Sequence, residues 1–438
     1  MSATSYTQGS IRQHIYRMTA SAGIGLLAMF SAELADLFFI SWLGNQTLTA
    51  AVGFAATLIF FTHSVNIGLM IATGAVVSRA LGEQATNKAK RLVSHSLLFN
   101  AMVSFVITAV IWFARTPLLQ LIGAEGEALQ AASSYLAIVL PAFPLAAVGM
   151  AAGGIMRANG DAKGALWLSL TGALVNVLLD PLLIWWLSIE GAAIASVASR
   201  LAMFGYGVYR VAVHYRLFGA LQKQLFVGDV RLFSGIGLPA VLTNLATPIG
   251  GAVVMAAMAQ YGEAAVAGAA IVGRLQMLAF VGLYALSGVV GTIAGRNWGA
   301  QAFDRVERTM SESLRFIVLY CLLACALLAA LTPIVIHGFN ASGEAVVLIQ
   351  LFTFGLSLHY VFQGMSFVSN AMFNNLGKPR WATYFNVAKA TVFTAPFAWL
   401  GAWVLDAPGV LVGQAVGAVL VGLWGWLACK RYIAKLAS

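Results

Sequence analysis

The sequence predicts an all-α membrane protein with twelve transmembrane helices, arranged as two six-helix lobes related by a parallel internal repeat. Three observations predict it. Hydrophobic residues make up 60% of the 438 residues and charged residues only 9%, whereas a soluble domain carries roughly 25% charged residues. Apolar stretches long enough to cross a bilayer, about 20 residues each, recur along the whole chain with short links. A motif in the first half returns in the second at the same place relative to its span.

The apolar stretches place spans at 16–43, 48–78, 92–114, 128–155, 164–187, 191–213, 234–260, 265–293, 313–336, 345–372, 382–404 and 409–429, with Gly, Pro, Asn and charge clusters marking the breaks. No polar stretch is long enough for a separate soluble domain. The polar start, Met1 to Gln13, lacks the pattern of a cleavable signal, so the first span is expected to direct insertion. Cys321 and Cys325 lie one helical turn apart and Cys429 near the C-terminus. They show neither metal-ligand spacing nor a disulfide framework and read as small packing residues.

The net charge of +10 is explained by where the charges fall. With twelve spans, Arg115 alone lies on one side, Arg200, Arg274 and Lys389 lie inside spans, and every other Lys and Arg lies on the opposite side. Basic residues accumulate on cytoplasmic loops, so both termini are expected in the cytoplasm and no nucleic acid is needed to account for the charge.

The repeat is legible as G-x4-R-x2-G-x-Q, at Gly74 to Gln84 and again at Gly291 to Gln301, an offset of 217 residues. Met156 pairs with Met372, Asn159 with Asn375 and Pro181 with Pro396 at nearly the same offset. Each half has an even number of spans, so both cross the membrane in the same sense, and lobes of this kind are expected to rock around a central cavity. The halves divide at 1–218 and 219–438. Arg79 and Arg296 suit helix C-termini, where a cation meets the negative end of the dipole. Gly82 and Gly299 are expected to supply the left-handed residue that ends each helix.

Acidic residues number fifteen, and three of them fall deep in spans: Glu33, Asp36 and Asp180, all in the first half. A carboxylate at the bilayer centre costs about 2.5–3.5 kcal/mol or more, and such residues face a wet cavity or a partner. Glu33 and Asp36 share a helix face, as do Asn176 and Asp180. Pro181 lacks an N–H, which frees the carbonyl of Val177. Asp36, Asn176 and Asp180 thus make an oxygen-rich pocket suited to Na⁺, or alternatively to a shared proton, with a carboxyl raised by burial and by its like-charged neighbour. The alternative is that these acids pair with a buried base such as Arg200 and only hold helices together. The second half offers softer polar groups at depth: Asn244, Gln276, Tyr284, Gln363, Asn370 and Asn374, with Lys389. Of these, Gln276, Tyr284, Gln363, Asn370 and Lys389, together with Met203, are candidates for a drug-sized substrate cavity. His63 and His359 also fall within spans.

No phosphate-binding loop, HExxH, paired CxxC or G-x-S-x-G elbow is present. The sequence therefore points to no enzyme and no cofactor, and the energy for transport would come from an ion gradient.

Several segments resemble the multidrug and toxic compound extrusion (MATE) family: Ala35 to Gly44, Met156 to Lys163, Asn176-Val-Leu-Leu-Asp180-Pro181, and Gly191 to Ser196. The resemblance covers nearly the whole chain and implies a multi-pass protein of the bacterial inner membrane, acting as a monomer. It implies export of cationic or amphipathic drug-like molecules in exchange for H⁺ or Na⁺. Acids confined to the first half resemble the DinF-like branch, which implies cation coupling at Asp36, Asn176 and Asp180, with Ser196 as the nearest match for a hydroxyl in span 6. One departure is Ala20 to Ile24, where the family commonly carries a proline; the corresponding proline stands in the second half as Pro239. The alternative function is a flippase for a lipid-linked sugar, which would need a cavity lined by bases.

Overall fold

The computed structural model describes residues 6–41, 46–339 and 341–437, with the side chains of 29, 31–41, 46, 49–50, 246–250, 252–253, 263 and 437 outside the description. The first half runs through α1 (Ile11–Ser41), α2 (Gln46–Gly82), α3 (Thr86–Leu121), α4 (Gly126–Val139), α5 (Phe143–Ala158) and α6 (Ala162–Tyr209). The second runs through α7 (Lys223–Ala259), α8 (Glu263–Ala279), α9 (Val281–Gly299), α10 (Phe303–Gly338), α11 (Glu344–Phe354), α12 (Tyr360–Asn375), α13 (Pro379–Ala388) and α14 (Ala395–Ala437). No strand occurs among the described residues.

These helices make twelve passes. The pairs α4–α5 and α11–α12 are each one pass interrupted by a 3₁₀ turn, at Leu140–Ala142 and Leu356–His359, and α8–α9 is one pass bent by 46°. Two passes share α6, which folds back at Ser188 (φ 54°), and two share the segment from Pro379 onward, which folds back at Leu405 and Asp406 (φ 54°). The sequence places links at both points; the chain instead reverses within one or two residues.

Small residues explain how the reversal is accommodated. The Gly191 backbone lies directly against the Leu183 carbonyl, and Gly409, Gly413 and Gly417 lie against the carbonyls of Gly401, Phe397 and Phe393, so that a Cβ at any of them would collide with backbone. Within a bilayer, apolar side chains gain little by leaving lipid. Close approach of backbones through small residues is then a main source of helix association.

Contacts divide the chain into two units, one of Ile24–Val241 and the other of Tyr6–Gly23 with Leu242–Ser438, the boundaries falling within α1 and α7. In the first unit α4–α5 is the most buried pass. Its first part joins Ala51, Ala55, Leu119, Ile184 and Ile189 in one apolar cluster, and its second part joins Val77, Val93, Leu97 and Val211 in another. In the second unit the segment before α1 is held by Arg305, whose guanidinium donates to the carbonyls of Tyr6, Gln8 and Gly9 and to Asn297 Oδ1. Cys321, Cys325 and Cys429 are all buried.

The repeat is written into the backbone. Left-handed residues recur 217 apart: Gln84 and Gln301, Gly126 and Gly343, Gly160 and Gly377. The first pair corrects the expectation for Gly82 and Gly299. Gly82 is instead the last helical residue, for the Glu83 amide still donates to the Arg79 carbonyl (2.9 Å). The Ala85 amide then reaches back to the Ala80 carbonyl and that of Gln84 to Leu81, a termination pattern that puts the left-handed residue at Gln84. Gln301 does the same, with Ala302 bonded to Asn297 and Gln301 to Trp298. Arg79 and Arg296 do occupy last helical turns, and Arg79 pairs with Glu83 (3.1 Å).

Asp161 ties together the end of α6. Its carboxylate accepts from the Gly164 amide (2.7 Å), capping the helix N-terminus, and from the Tyr215 hydroxyl and the Arg210 guanidinium beyond the helix's far end. The connection to α7 is held nearby. Ser94 and Gly219 exchange two hydrogen bonds, and the Gln222 amide donates to His95 Nε2, leaving Nδ1–H to donate to Asp229 (2.7 Å).

Two outcomes follow for stability. A left-handed non-glycine residue costs roughly 1–2 kcal/mol, partly offset by the flexibility of glycine in the unfolded chain. Gln84→Gly is therefore expected to raise stability by about 0.5–1 kcal/mol and Gln84→Val to lower it, read by thermal melts in detergent. For Asp161, burial pushes the carboxyl up, but Tyr215, the Gly164 amide and Arg210 outweigh it and hold it below the usual range. Its stabilisation is therefore complete above the unfolded value of about 4 and is lost as pH falls through the lowered folded value. Asp161→Ala should cost about 1 kcal/mol at neutral pH, with the difference from wild type vanishing in acid.

Candidate functional site

The acids singled out in the sequence lie on α1 and α6. The side chains of Glu33 and Asp36 lie outside the described residues. Asp180 is fully buried, at 0% exposure, on the first arm of α6, and Asn176 one turn earlier donates from Nδ2 to its Oδ1 (3.2 Å). Pro181 follows inside the helix, so the Val177 carbonyl loses its intrahelical donor.

Ser196 is buried on the second arm. The arms are antiparallel: Gly191 lies against Leu183, and the Ser199 hydroxyl donates to the Gly172 carbonyl (2.8 Å) beside Met203. This register sets Asp180 opposite Ile194, which leaves Ser196 within about 3 Å of helix rise of its level. The structure thus joins Asn176 to Asp180 and brings Ser196 to a similar depth, with no hydrogen bond between Ser196 and either among the described residues. An amide and a carbonyl beside a buried carboxylate supply hard oxygen donors of the kind that bind Na⁺, and the same carboxylate can carry a proton.

Arg200, a partly buried base on the same arm, has its guanidinium 4.6 Å from the ring centre of Phe143. His63 meets the same ring edge-on at 5.3 Å. Both bases therefore contact one aromatic ring, a cluster that sequence spacing could not foresee because its members come from α2, α5 and α6. Asn66, one turn after His63, was also passed over. It is 1% exposed and neither side-chain amide atom has a hydrogen-bond partner. Its only sequence signal is an amide in an otherwise apolar run.

The candidates for substrate contact separate. Met203 packs in the first unit against Met156, Ala165 and Leu168. Gln276, Tyr284, Gln363, Asn370 and Lys389 belong to the second. Lys389 opens a π-helical turn, Lys389–Thr394, and its ammonium donates to Gln363 Oε1 on α12 (2.6 Å). Tyr284 on α9 packs against Phe367, one turn beyond Gln363, at 5.0 Å between ring centres. The Oδ1 atoms of Asn370 and Asn374 are buried without a hydrogen-bond partner. Gln276 is half-buried on α8.

Comparison with known proteins places this geometry. The MatE family pattern matches residues 22–182 and again 239–400, two copies in register with the internal repeat. An FAD transporter of Shewanella oneidensis is 26% identical over 417 residues, 93% of this chain and 92% of that protein. A probable multidrug resistance protein of Bacillus subtilis, YpnP, is 24% identical over 92% of each chain. The crystal structure of a mutant of VcmN, a MATE transporter of Vibrio cholerae, matches with a TM-score of 0.91 at 26% identity, covering 97% of both chains. With both halves matched and the twelve-pass helical fold shared, the chain belongs to the MatE family of multidrug and toxic compound extrusion proteins, which are membrane transporters rather than enzymes.

Proposed function

We propose that this protein is a secondary active antiporter of the DinF-like branch, which exports cationic or amphipathic small molecules in exchange for H⁺ or Na⁺. The observation that carries the reading is Asp180, a carboxylate fully withdrawn from solvent at mid-span and held by the Asn176 amide. Burial of such a charge is costly, and a bound cation would offset that cost. Asp36, three residues after Glu33 in the first span, is the second carboxylate of the site, and Ser196 and the Val177 carbonyl are further oxygen donors. Binding of the cation would favour one arrangement of the protein and binding of cargo the other, as exchange requires unequal affinity for the two. The basic loops support a bacterial inner membrane location with both termini on the cytoplasmic side. Cargo extends beyond drugs in this reading, because the relative from Shewanella oneidensis is named for FAD.

Purified protein in liposomes tests it. An imposed pH gradient in Na⁺-free buffer, and separately a Na⁺ gradient, should drive ethidium or norfloxacin flux under at least one condition. Asp180→Asn and Asp36→Asn should each reduce that flux by at least about tenfold, since each removes a negative charge that would bind the coupling cation and a tenfold loss corresponds to only about 1.4 kcal/mol. Full flux in both variants would remove the carboxylates from the coupling site. Absence of flux in wild type under both gradients would sink the antiport reading for these compounds and favour a lipid-linked flippase.

A further inference from the structure

Lys389 is an unusual presence. It lies about ten residues, some 15 Å of helix, from the start of α13 at Pro379, and about sixteen residues, some 24 Å, from the reversal at Leu405. An ammonium at such depth is as costly as a carboxylate and is normally paired or turned toward water. Its hydrogen bond goes to the neutral oxygen of Gln363, and no carboxylate pairs with it among the described residues. The described acids of the second unit stand elsewhere: Asp304, Glu307 and Glu312 early in α10, Glu344 at the start of α11, and Asp406 at the reversal. Lys389 as a whole residue is partly buried. It opens a π-helical turn, a local widening that recurs at functional sites because it re-aims a side chain.

The surroundings extend the pattern. Gln363, Phe367, Asn370 and Asn374 follow one another along one face of α12. Phe367 carries Tyr284 beside it. Gln363 and Asn370 are about 10 Å apart along the helix axis. Along this face of α12 therefore stand, in order, Gln363 with the Lys389 ammonium bonded to it, Phe367 with Tyr284 against it, and amides whose oxygens lack donors.

We infer that Lys389 and Gln363 form an anion-reading subsite within the second unit, which takes the phosphate or carboxylate of an aromatic cargo whose ring lies along α12 toward Asn370. This deepens the transport reading and rests on it, and it narrows the cargo to amphipathic molecules that carry a negative group. An arriving anion would pair with the ammonium and remove the cost of its burial, whereas a cationic cargo would add like charge to it.

The test uses purified full-length protein and a matched pair of probes, riboflavin and riboflavin 5′-phosphate, which share a ring system and differ by one phosphate. Equilibrium dialysis read by flavin fluorescence should show the phosphate ester bound at least about tenfold more tightly, the scale of one charge-assisted hydrogen bond. Lys389→Gln should abolish that preference and Lys389→Arg should keep part of it. Equal affinity for the two probes, binding of neither, or a preference that survives Lys389→Gln would overturn the subsite. The wild-type comparison decides even if a variant fails to fold. Flux in liposomes is read separately. Preference for the phosphate ester without gradient-driven flux would keep the subsite and remove antiport, while driven flux without preference would do the reverse.

Discussion

Backbone lying on backbone at two helical reversals determines where the buried charges of this chain stand. At Ser188 and again at Asp406 the chain doubles back within one or two residues, which is feasible only because Gly191 on one side and Gly409, Gly413 and Gly417 on the other present no side chain to the opposing carbonyls. In hydrocarbon every backbone group must find its partner inside the helix, so a reversal with a long irregular loop would be expensive near the membrane. A tight one keeps both arms helical almost to the turn and fixes their register. Asp180 and Lys389 both ride on the first arm of such a hairpin, one in each half.

The two halves share their torsions and differ in their charges. Left-handed residues at 84, 126 and 160 have counterparts at 301, 343 and 377, and these positions specify how each helix ends and the next begins. The charges follow no such rule: the deep carboxylates stand in the first half, with Arg200, whereas Arg274 and the Lys389 ammonium stand in the second without a deep acid. A duplicated scaffold needs the same caps and turns twice, because every helix end must satisfy the same orphaned amides and carbonyls. It has no physical need for the same mid-span charge twice. What differs between the halves at depth is thus where separate chemical tasks would be expected.

Much of this was legible in the sequence, and the limits have physical causes. Span number and order could be read because a bilayer imposes a length on every apolar run. Asn176 and Asp180 could be joined because four residues make one helical turn. Gln84 could not be chosen over Gly82 as the left-handed residue, because glycine is the ordinary occupant of that conformation and only the hydrogen bonds of Glu83 and Ala85 show that Gly82 is still helical. Lys389 and Gln363 were each visible as polar residues at depth. Their bond was not, for it depends on the register between α12 and α13, which neither composition nor periodicity encodes. The cluster of His63, Phe143 and Arg200 was hidden for the same reason.

The chemistry of the deep groups bears on how exchange could be organised. A carboxylate flanked by an amide suits a small cation, since each oxygen replaces one water of its shell. A lysine beside amides suits a larger anion-bearing cargo, since the amides can donate or accept according to what arrives. If one site served both ligands, each would have to displace the other by direct competition for the same atoms. Two sites of opposite polarity on different halves avoid that requirement. Coupling then needs only that each ligand bind the protein's alternative conformations with different affinity, and the linkage between them is reciprocal whatever the distance. The division of charge between the halves is therefore compatible with exchange of a cation for a cargo of opposite sign, a combination that a single acidic pocket would disfavour.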